Sequence, residues 1–297
     1  MQDLSLFPKF TIITPTYNQG KFIEETILSV LGQNYPNLEY FIFDGGSTDN
    51  TIDIIKKYEK EITYWESKKD KGQSHAINKG FEKSTGEIIG WLNSDDLYMP
   101  NTLCFISEQV KRHNDKIYFG NCVHYSEGDE GVIAEGSDVV NISKKIVLEN
   151  ADFIIQPSSF WTKGILQKVG PLKEDIHYAF DWEWFLRAKL LGVDFFCINK
   201  PLSLYRKHAE HKTSVGGEKR QKEILEIYKQ YSQRFAKLYE NILNEDLKIT
   251  QLKGKIVRRA LKVLKRPNSN IDILRLLKSD LYKEYSPIEI SNAISML

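Results

Sequence analysis

Residues 86–100 read GEIIGWLNSDDLYMP. A mostly apolar run at 87–92 ends in four polar side chains, Asn93, Ser94, Asp95 and Asp96. A short apolar run that stops at turn-forming residues is typical of a buried strand. The stretch therefore predicts a strand whose carboxyl end carries acidic side chains.

The same arrangement recurs along the first 120 residues. Apolar runs fall at 10–14, 39–43, 62–65, 87–92 and 117–119. Helical patterns between them begin near Lys21, Thr51, Ser74 and Asn101. Alternating strands and helices predict an α/β fold with a mainly parallel sheet flanked by helices. Since ligands of open α/β sheets bind at the carboxyl ends of the strands, we expect the chemistry there.

The composition is that of a folded globular protein. The 297 residues are 41% hydrophobic and 27% charged, which argues against disorder and collagen-like repeats. Cys104, Cys122 and Cys197 lie far apart without a C-x-x-C pair, which argues against a zinc ribbon, a redox dithiol or a disulfide scaffold. The amino terminus shows no secretory pattern, and no apolar run approaches the roughly 20 residues of a membrane-spanning helix. These features predict a cytoplasmic protein.

The charge changes sign along the chain. Residues 1–216 carry 24 basic and 30 acidic residues, whereas residues 217–297 carry 17 and 10. Glycine and proline become rare after about residue 217, where long helical patterns begin. We therefore predict a boundary near 216, between a 1–216 domain and a basic helical region at 217–297. The Gly-rich acidic stretch 126–138 predicts a hairpin or a mobile loop.

Residues 248–266 form the most basic segment, with eight basic residues and no acid. Its apolar residues fall at helical spacing, so it is compatible with a helix on an anionic membrane, at the inner face of the cell membrane. A helix docked on the first domain with solvated charges is the alternative. Nucleic acid is not expected as a partner, because no recognition motif accompanies the charge.

Three strand ends carry the candidate binding residues. At Asp95 and Asp96, adjacent carboxylates favour a divalent cation that bridges to phosphate, and helix capping is the alternative. After the second strand, Asp44 can accept hydrogen bonds from a nucleobase or ribose, and Gly45 allows a close approach of a ligand; a plain turn is the alternative. After the first strand, Tyr17 can stack on a base or simply pack in a turn.

Four stretches together carry a more specific signal. In order, they are TPTYNQGKFIEETILSVLGQ, FIFDGGSTDNT, KDKGQSHAINKGF and GEIIGWLNSDDLYMP. They resemble the amino-terminal half of glycosyltransferase family 2, closely over 9–113 and loosely to about 213. The resemblance implies a Rossmann-like GT-A fold and an inverting transfer of a sugar from a nucleoside diphosphate, most often UDP. It also implies Mn²⁺ or Mg²⁺ as cofactor and a glycan or lipid-linked glycan as acceptor, in polysaccharide or glycan biosynthesis.

The resemblance assigns roles to particular positions. Nucleotide binding falls to residues at the strand ends: Pro15, Thr16, Tyr17, Asp44, Gly45, Gly72 and Ser94. Asp95 matches the second acid of the family's metal-binding Asp-x-Asp element, in which Asn93 replaces the first acid. His208 is a candidate additional metal ligand.

Asp181 matches the family's catalytic base. It lies in FDWEWFLR, which resembles a Glu-Asp element whose first acid is replaced by Phe180. Helical spacing turns Asp181 away from Glu183, with the apolar side chains between and after them forming the packed side. In the alternative interpretation Asp181 caps the helix and Glu183 is solvated.

Five further residues are candidates for contacts with the acceptor or the diphosphate: Gln156, Trp161, Asp96, Arg206 and Lys212. A core position for the tryptophan and a solvated loop for the basic residues are the alternatives. The replacements Asn93 and Phe180 leave a second hypothesis open, a nucleotide-sugar-binding or scaffold protein without catalysis. A nicotinamide-dependent dehydrogenase is disfavoured, because the glycine fingerprint is missing.

Overall fold

The computed structural model describes residues 4–128, 131–208, 212, 216–244, 271, 275 and 278–297. The chain forms two compact units. One comprises Met1–Ile142 and Phe153–Ser214, the other Ser143–Asp152 and Val215–Leu297. The division into functional regions at residue 216 stays a prediction, and the membership of 143–152 in the second unit was not anticipated.

The first unit contains the strands and six of the helices that the structure describes. The strands are β1 (Phe10–Thr16), β2 (Leu38–Asp44), β3 (Tyr64–Ser67), β4 (Ile88–Trp91), β5 (Leu97–Tyr98), β6 (Ile117–Gly128), β7 (Gly131–Gly136), β8 (Ser159–Thr162) and β9 (Phe195–Arg206). The helices are α1 (Ile23–Leu31), α2 (Thr51–Lys57), α3 (Gln73–Lys83), α4 (Thr102–His113), α5 (Lys163–Val169) and α6 (Phe180–Leu190). Short 3₁₀ turns occupy Leu4–Leu6 and Gln156–Ser158.

Across the described residues, the nine strands form one mixed sheet. Its order is β3-β2-β1-β4-β8-β6-β9-β5, with β7 beside β6. The first four strands in this order are parallel, as the alternating sequence pattern predicted. Antiparallel pairs enter through β8, which pairs with β4 and β6, through β5 beside β9, and through β7 beside β6. The α/β fold class is confirmed, and the stretch predicted as a hairpin or mobile loop is a hairpin.

Strand β1 is the centre of the first unit. All seven of its residues are buried, since strands lie on both sides and helices cover its faces. Gly80 on α3 lies against Ile13 of β1, and a Cβ atom at position 80 would fall within 2.6 Å of the Ile13 side chain. The absence of a side chain at Gly80 therefore lets α3 pack directly onto the central strand.

The second unit is helical where it is described. Its helices are α7 (Gly217–Tyr231), α8 (Gln233–Leu243), α9 (Ser279–Tyr282) and α10 (Pro287–Ser295). Ser232 separates α7 from α8 and caps α8 by accepting a hydrogen bond from Phe235 N. The basic segment 248–266 lies outside the described residues. Among the helices that the structure does describe, none has the length and apolar character needed to cross a membrane.

Glu66 on the edge strand β3 predicts a pH dependence of stability. Burial raises the pKa of Glu66, but hydrogen bonds from Lys79, Lys68 and Tyr64 outweigh burial and lower that pKa to about 2. A carboxyl group with a lowered pKa in the folded state stabilises the fold above its unfolded pKa, so this stabilisation disappears as the pH falls from 4.5 towards 2.

We therefore expect Glu66→Gln to lower the free energy of unfolding at pH 7 by about 1–3 kcal/mol and to flatten its decline in acid. Urea unfolding at several pH values measures both effects. The same change at the exposed Glu61 is the control. An acid decline as steep in Glu66→Gln as in the wild type would contradict the assignment.

Candidate active site

The carboxyl ends of β2, β1 and β4 lie side by side, because the three strands are parallel neighbours. Thr16 at the end of β1 pairs with Asp44 at the end of β2, and Ile13 pairs with Trp91 at the end of β4. The polar loops that follow the three strands therefore meet at one edge of the sheet, where the sequence predicted a site.

The loops after β1 and β2 are joined by hydrogen bonds. Asn18 N donates to Ser47 Oγ at 2.7 Å, and Asn18 Oδ1 accepts from Thr48 N at 2.8 Å. Gly20 N donates to Asp49 Oδ2 at 2.9 Å. Because each loop satisfies polar groups of the other, the two loops hold one another in place.

The predicted nucleotide residues of β1 differ in exposure. Pro15 and Thr16 are buried within the strand, so their side chains do not face solvent. Tyr17, the next residue, is 59% exposed. Its ring is accessible to a stacking partner, and the stacking role stays a prediction.

Asp44 is buried at the end of β2, and its carboxylate organises the following loop. It accepts hydrogen bonds from Gly46 N at 3.1 Å, Ser47 N at 2.9 Å and Ser67 Oγ at 2.5 Å, and also from the Ser47 hydroxyl. Gly46 has a φ of +89°, which a residue with a Cβ adopts only with strain. Asp44 thus shapes the loop that the sequence assigned to nucleotide binding.

Asp70 lies just after β3 at the same edge, within the stretch KDKGQSHAINKGF, and had no predicted role. Its Oδ1 accepts from Gly72 N at 2.8 Å, just before α3 begins. A Cβ atom at Gly45 would lie 3.2 Å from Asp70 Oδ2. Gly45 and Gly72 therefore flank a carboxylate, and its position after the end of β3 was the signal that could have identified it.

Asp95 and His208 come together from distant parts of the chain. Asp95 Oδ2 lies 3.0 Å from His208 Nε2, and both side chains are partly exposed. The His208 ring packs on Phe22, with 4.7 Å between the ring centroids. Carboxylate oxygen and imidazole nitrogen are both ligands for divalent ions, so the pair fits the predicted metal site. Within the described residues, no third acidic, histidine or cysteine side chain completes a metal cluster with them.

Asp96, predicted to contact the acceptor or diphosphate, points into the protein instead. It is 1% exposed, with Oδ1 accepting from Arg206 N at 3.2 Å and Oδ2 from Asn93 Nδ2 at 3.4 Å. Burial and the neighbouring Asp95 charge raise the pKa of Asp96 well above its ordinary value. This correction follows from the alternation of side chains after the strand, which turns one acid outward and the next inward.

Asn93 connects several parts of the edge through its amide. Its Oδ1 accepts from Gln73 Nε2 at 2.7 Å, and its Nδ2 donates to Asp96 and, at 3.5 Å, to Gln156 Oε1. Gln156 in turn donates from Nε2 to Trp91 O at 2.8 Å. The amide accepts from Gln73 and donates to Asp96 and Gln156, a combination that an ionised carboxylate at position 93 could not provide.

Arg206, predicted to neutralise the diphosphate, is 3% exposed. Its guanidinium donates to Glu25 Oε2 at 2.6 Å and to Asp95 O at 3.2 Å. It also lies 5.0 Å from the Phe22 ring centroid and 4.9 Å from that of Tyr125. In this position Arg206 holds the Asp95 loop from inside the protein and does not face an open surface. This corrects its predicted contact with the diphosphate.

Asp181 lies in the first turn of α6, where its Oδ1 accepts from Trp182 N at 2.9 Å. A chain of side chains joins this turn to the Asp95 loop. Lys212 Nζ lies 5.4 Å from the Phe180 ring centroid and 3.0 Å from Gln73 Oε1, and Gln73 binds Asn93. The turn that bears the predicted base is thus connected to the Asp95 loop through Gln73, a residue without a predicted role.

The remaining candidates are mostly internal. Ser94 is buried, and Gln156 is occupied in holding the end of β4. Trp161 is fully buried, with its ring 5.2 Å from Trp91 and 4.7 Å from Trp184. Trp161 is therefore a core residue, which corrects its predicted contact with the acceptor.

Comparison with known sequences gives one family for this region. The model of the family described as Glycosyl transferase family 2 matches residues 11–155. An uncharacterized glycosyltransferase of Rickettsia typhi is 27% identical over 207 residues, which cover 66% of this chain and 63% of that protein. The GalNAc(5)-diNAcBac-PP-undecaprenol beta-1,3-glucosyltransferase of Campylobacter jejuni is 26% identical over 80% of this chain and 75% of its own. The chain thus spans less than two thirds of the Rickettsia protein.

Solved structures show the same fold. S. aureus TarS 1-349 in complex with UDP-GlcNAc aligns over 86% of this chain and 73% of its own, with a TM-score of 0.56 and 19% identity. The mannosyltransferase PcManGT from Pyrobaculum calidifontis, in complex with GDP-Man and Mn²⁺, aligns over 98% and 74%, with a TM-score of 0.59 and 18% identity. These similarities confirm the predicted GT-A type of α/β fold.

The position of Asn93 predicts that a carboxylate there destabilises the fold. We expect Asn93→Asp to lower the free energy of unfolding by about 1–3 kcal/mol at neutral pH, because it removes a donor to Asp96 and adds a like charge. The loss should shrink in acid, where a protonated carboxyl can donate. Denaturant unfolding measures it, and Asn101→Asp at the exposed start of α4 is the control. Equal stability of the two variants would contradict this role.

Proposed function

We propose that the chain is a member of glycosyl transferase family 2, whose model matches residues 11–155, and that it is an inverting glycosyltransferase. It moves a sugar from a nucleoside diphosphate to an acceptor hydroxyl. The observation that carries this proposal is the Asp95–His208 pair at the carboxyl edge of the sheet, linked through Gln73 and Lys212 to the turn that bears Asp181.

We propose UDP as the carrier of the donor sugar. TarS, which shares the fold, forms complexes with UDP and UDP-GlcNAc, whereas PcManGT is seen with GDP-Man. The exposed Tyr17 ring offers a stacking surface, and the loops around Asp44, Gly45 and Gly72 offer backbone groups. A panel of donors with different nucleotides tests directly whether the site prefers a pyrimidine.

Asp95 and His208 would hold the metal ion, which neutralises the diphosphate when bound. The remaining ligand positions suit phosphate oxygens and water, the usual arrangement for ions held by one or two protein groups. Because imidazole nitrogen is a better ligand for transition metals than for Mg²⁺, the pair favours Mn²⁺. Arg206 supports this site through its bond to the Asp95 carbonyl.

Asp181 would act on the acceptor as a general base. It takes the proton of the acceptor hydroxyl as that oxygen forms a bond to the anomeric carbon. The bond from the anomeric carbon to the diphosphate oxygen breaks on the opposite face, and the electron pair leaves with the nucleoside diphosphate. A single displacement of this kind inverts the anomeric configuration.

The acceptor is proposed as a glycan or lipid-linked glycan. The Campylobacter relative is named for a glycan carried on undecaprenyl pyrophosphate, which is the support for a lipid-linked acceptor. Lys212, exposed beside α3 and α6, is the candidate contact that stays accessible. A membrane role for residues 248–266 stays a prediction, to be checked by sedimentation with anionic liposomes.

The alternative of an inactive scaffold rested on two replaced acids. Asn93 is now explained by its amide contacts with Gln73 and Asp96. Phe180 is buried and packs on Trp91, with ring centroids 6.3 Å apart. Both replacements have structural roles in the fold, which weakens the support for an inactive scaffold.

If Asp181 is the general base, its replacement should reduce turnover without weakening donor binding. We expect Asp181→Asn to lower kcat by about 10²–10⁴-fold, since the amide cannot take a proton, while donor affinity changes little. Release of UDP from a panel of UDP-sugars with Mn²⁺ measures kcat, and calorimetry measures binding. Asp175→Asn on the exposed loop before α6 is the control. Normal turnover by Asp181→Asn would remove that residue from the mechanism.

The metal role predicts that donor affinity depends on two side chains. Asp95→Ala and His208→Ala should each reduce the gain in UDP affinity that Mn²⁺ produces, by about 10-fold or more. Binding of UDP in EDTA should differ little among the three proteins. If Mn²⁺ strengthens binding equally in the wild type and both variants, the metal lies elsewhere.

A further inference from the structure

Glu183 on α6 is a buried carboxylate that the proposed reaction does not use. It is 0% exposed and lies two residues after Asp181. Its Oε1 is 2.9 Å from Lys173 Nζ, and its Oε2 is 3.1 Å from Arg187 Nη2. Burial of an ionised group is costly unless partners surround it, and an apolar side chain often replaces such a pair without loss of stability. The arrangement therefore suggests a role beyond stability.

Arg187 and Trp184 bind residues 169–174, the last residue of α5 and the loop after it, which we call the 169–174 loop. Arg187 donates from Nη1 to Val169 O and from Nη2 to Pro171 O, both at 2.8 Å. Trp184 Nε1 donates to Gly170 O at 2.9 Å. Gly170 has a φ of +82°, so the chain turns sharply where these donors converge. Side chains of α6 thus bind three successive carbonyl groups of the loop.

The same loop is bound on its other side by α3. Asn78 Nδ2 donates to Leu172 O, and Leu172 N donates to Asn78 Oδ1, both at 2.9 Å. Asn78 is buried, so this reciprocal pair is shielded from water. Helix α3 begins at Gln73, which binds Asn93 beside the Asp95 loop. The 169–174 loop therefore connects the helix of Asp181 to the helix that contacts the donor edge.

We propose that Glu183 is a positioning residue, which together with Arg187 and Asn78 fixes the 169–174 loop between α6 and α3 and so sets the distance from Asp181 to the bound donor. This inference rests on the proposed function of Asp181. A displacement of about 1 Å between reacting groups can cost about 10²-fold in rate, so a small shift of α6 would reduce turnover without reducing donor affinity.

A purely stabilising ion pair is the alternative, and the chain offers a matched control for it. Glu39 is also a buried carboxylate, 3.1 Å from Lys9 Nζ and hydrogen-bonded to Thr11 and Thr85. Glu39 lies on β2 near its amino end, opposite the edge that carries Asp95. Loss of its charge should lower stability without moving α6.

The experiment compares Glu183→Gln with Glu39→Gln in the full chain. Circular dichroism selects a temperature at which both variants are folded. There, UDP release from the best UDP-sugar gives kcat and KM, and calorimetry gives the Kd for UDP with Mn²⁺. We expect Glu183→Gln to lower kcat by about 10–100-fold with Kd changed less than about 3-fold, while Glu39→Gln keeps kcat within about 3-fold. Glu183→Asp, which retains the charge, should recover part of the loss.

Two results would overturn the proposal: wild-type kcat in folded Glu183→Gln, or an equal loss of kcat in Glu39→Gln. Should Glu183→Gln fail to fold, Asn78→Asp provides the test, since it keeps the shape of the side chain but removes the donor to Leu172 O and Glu174 Oε1 and adds a charge. A lower kcat with unchanged Kd in that variant supports the proposal, and an unchanged kcat rejects it. If the wild type turns over no donor, the proposed function itself fails, whereas equal turnover by wild type and variant rejects only the positioning role.

Discussion

The parallel register of β2, β1 and β4 is the constraint on which the site depends. Thr16 lies opposite Asp44, and Ile13 lies opposite Trp91, so three loops begin at the same edge. A shift of one residue would turn every buried side chain of β1 to the opposite face, which the packed core on both sides prevents. The contact of Gly80 with Ile13 adds α3 to this arrangement, and with it Gln73. The packing of the core and the geometry of the site therefore depend on the same contacts of the central strands.

Much of this arrangement was predictable from the sequence. The alternation of apolar runs and amphipathic stretches located β1 to β4 and α1 to α4, and parallel pairing then brought their polar ends together. The pairing of Asp95 with His208 followed from the family resemblance, because 113 positions separate them. Their proximity agrees with that expectation, while metal binding itself stays a proposal.

Whether the other polar residues face a ligand or hold a loop inside the protein was not predictable, because it depends on partners that are distant in the chain. Asp96, Arg206 and Gln156 have the residue types of a binding site, yet each is buried and holds a loop. Helical spacing predicted that Asp181 faces away from Glu183, and the alternative that Glu183 is solvated was wrong. Only the fold reveals Lys173 and Arg187, which allow that carboxylate to be buried. A local pattern indicates where polar groups lie, and tertiary contacts decide what they bind.

The hydrogen bonds between the loops after β1 and β2 bear on the thermodynamics of ligand capture. Asn18, Ser47, Thr48 and Asp49 already order these segments, so a ligand that enters need not supply the conformational entropy of folding them. Association at this face should resemble docking to a rigid receptor, with a heat capacity change that reflects the contact area alone. Any slow step after encounter would then originate in other parts of the site.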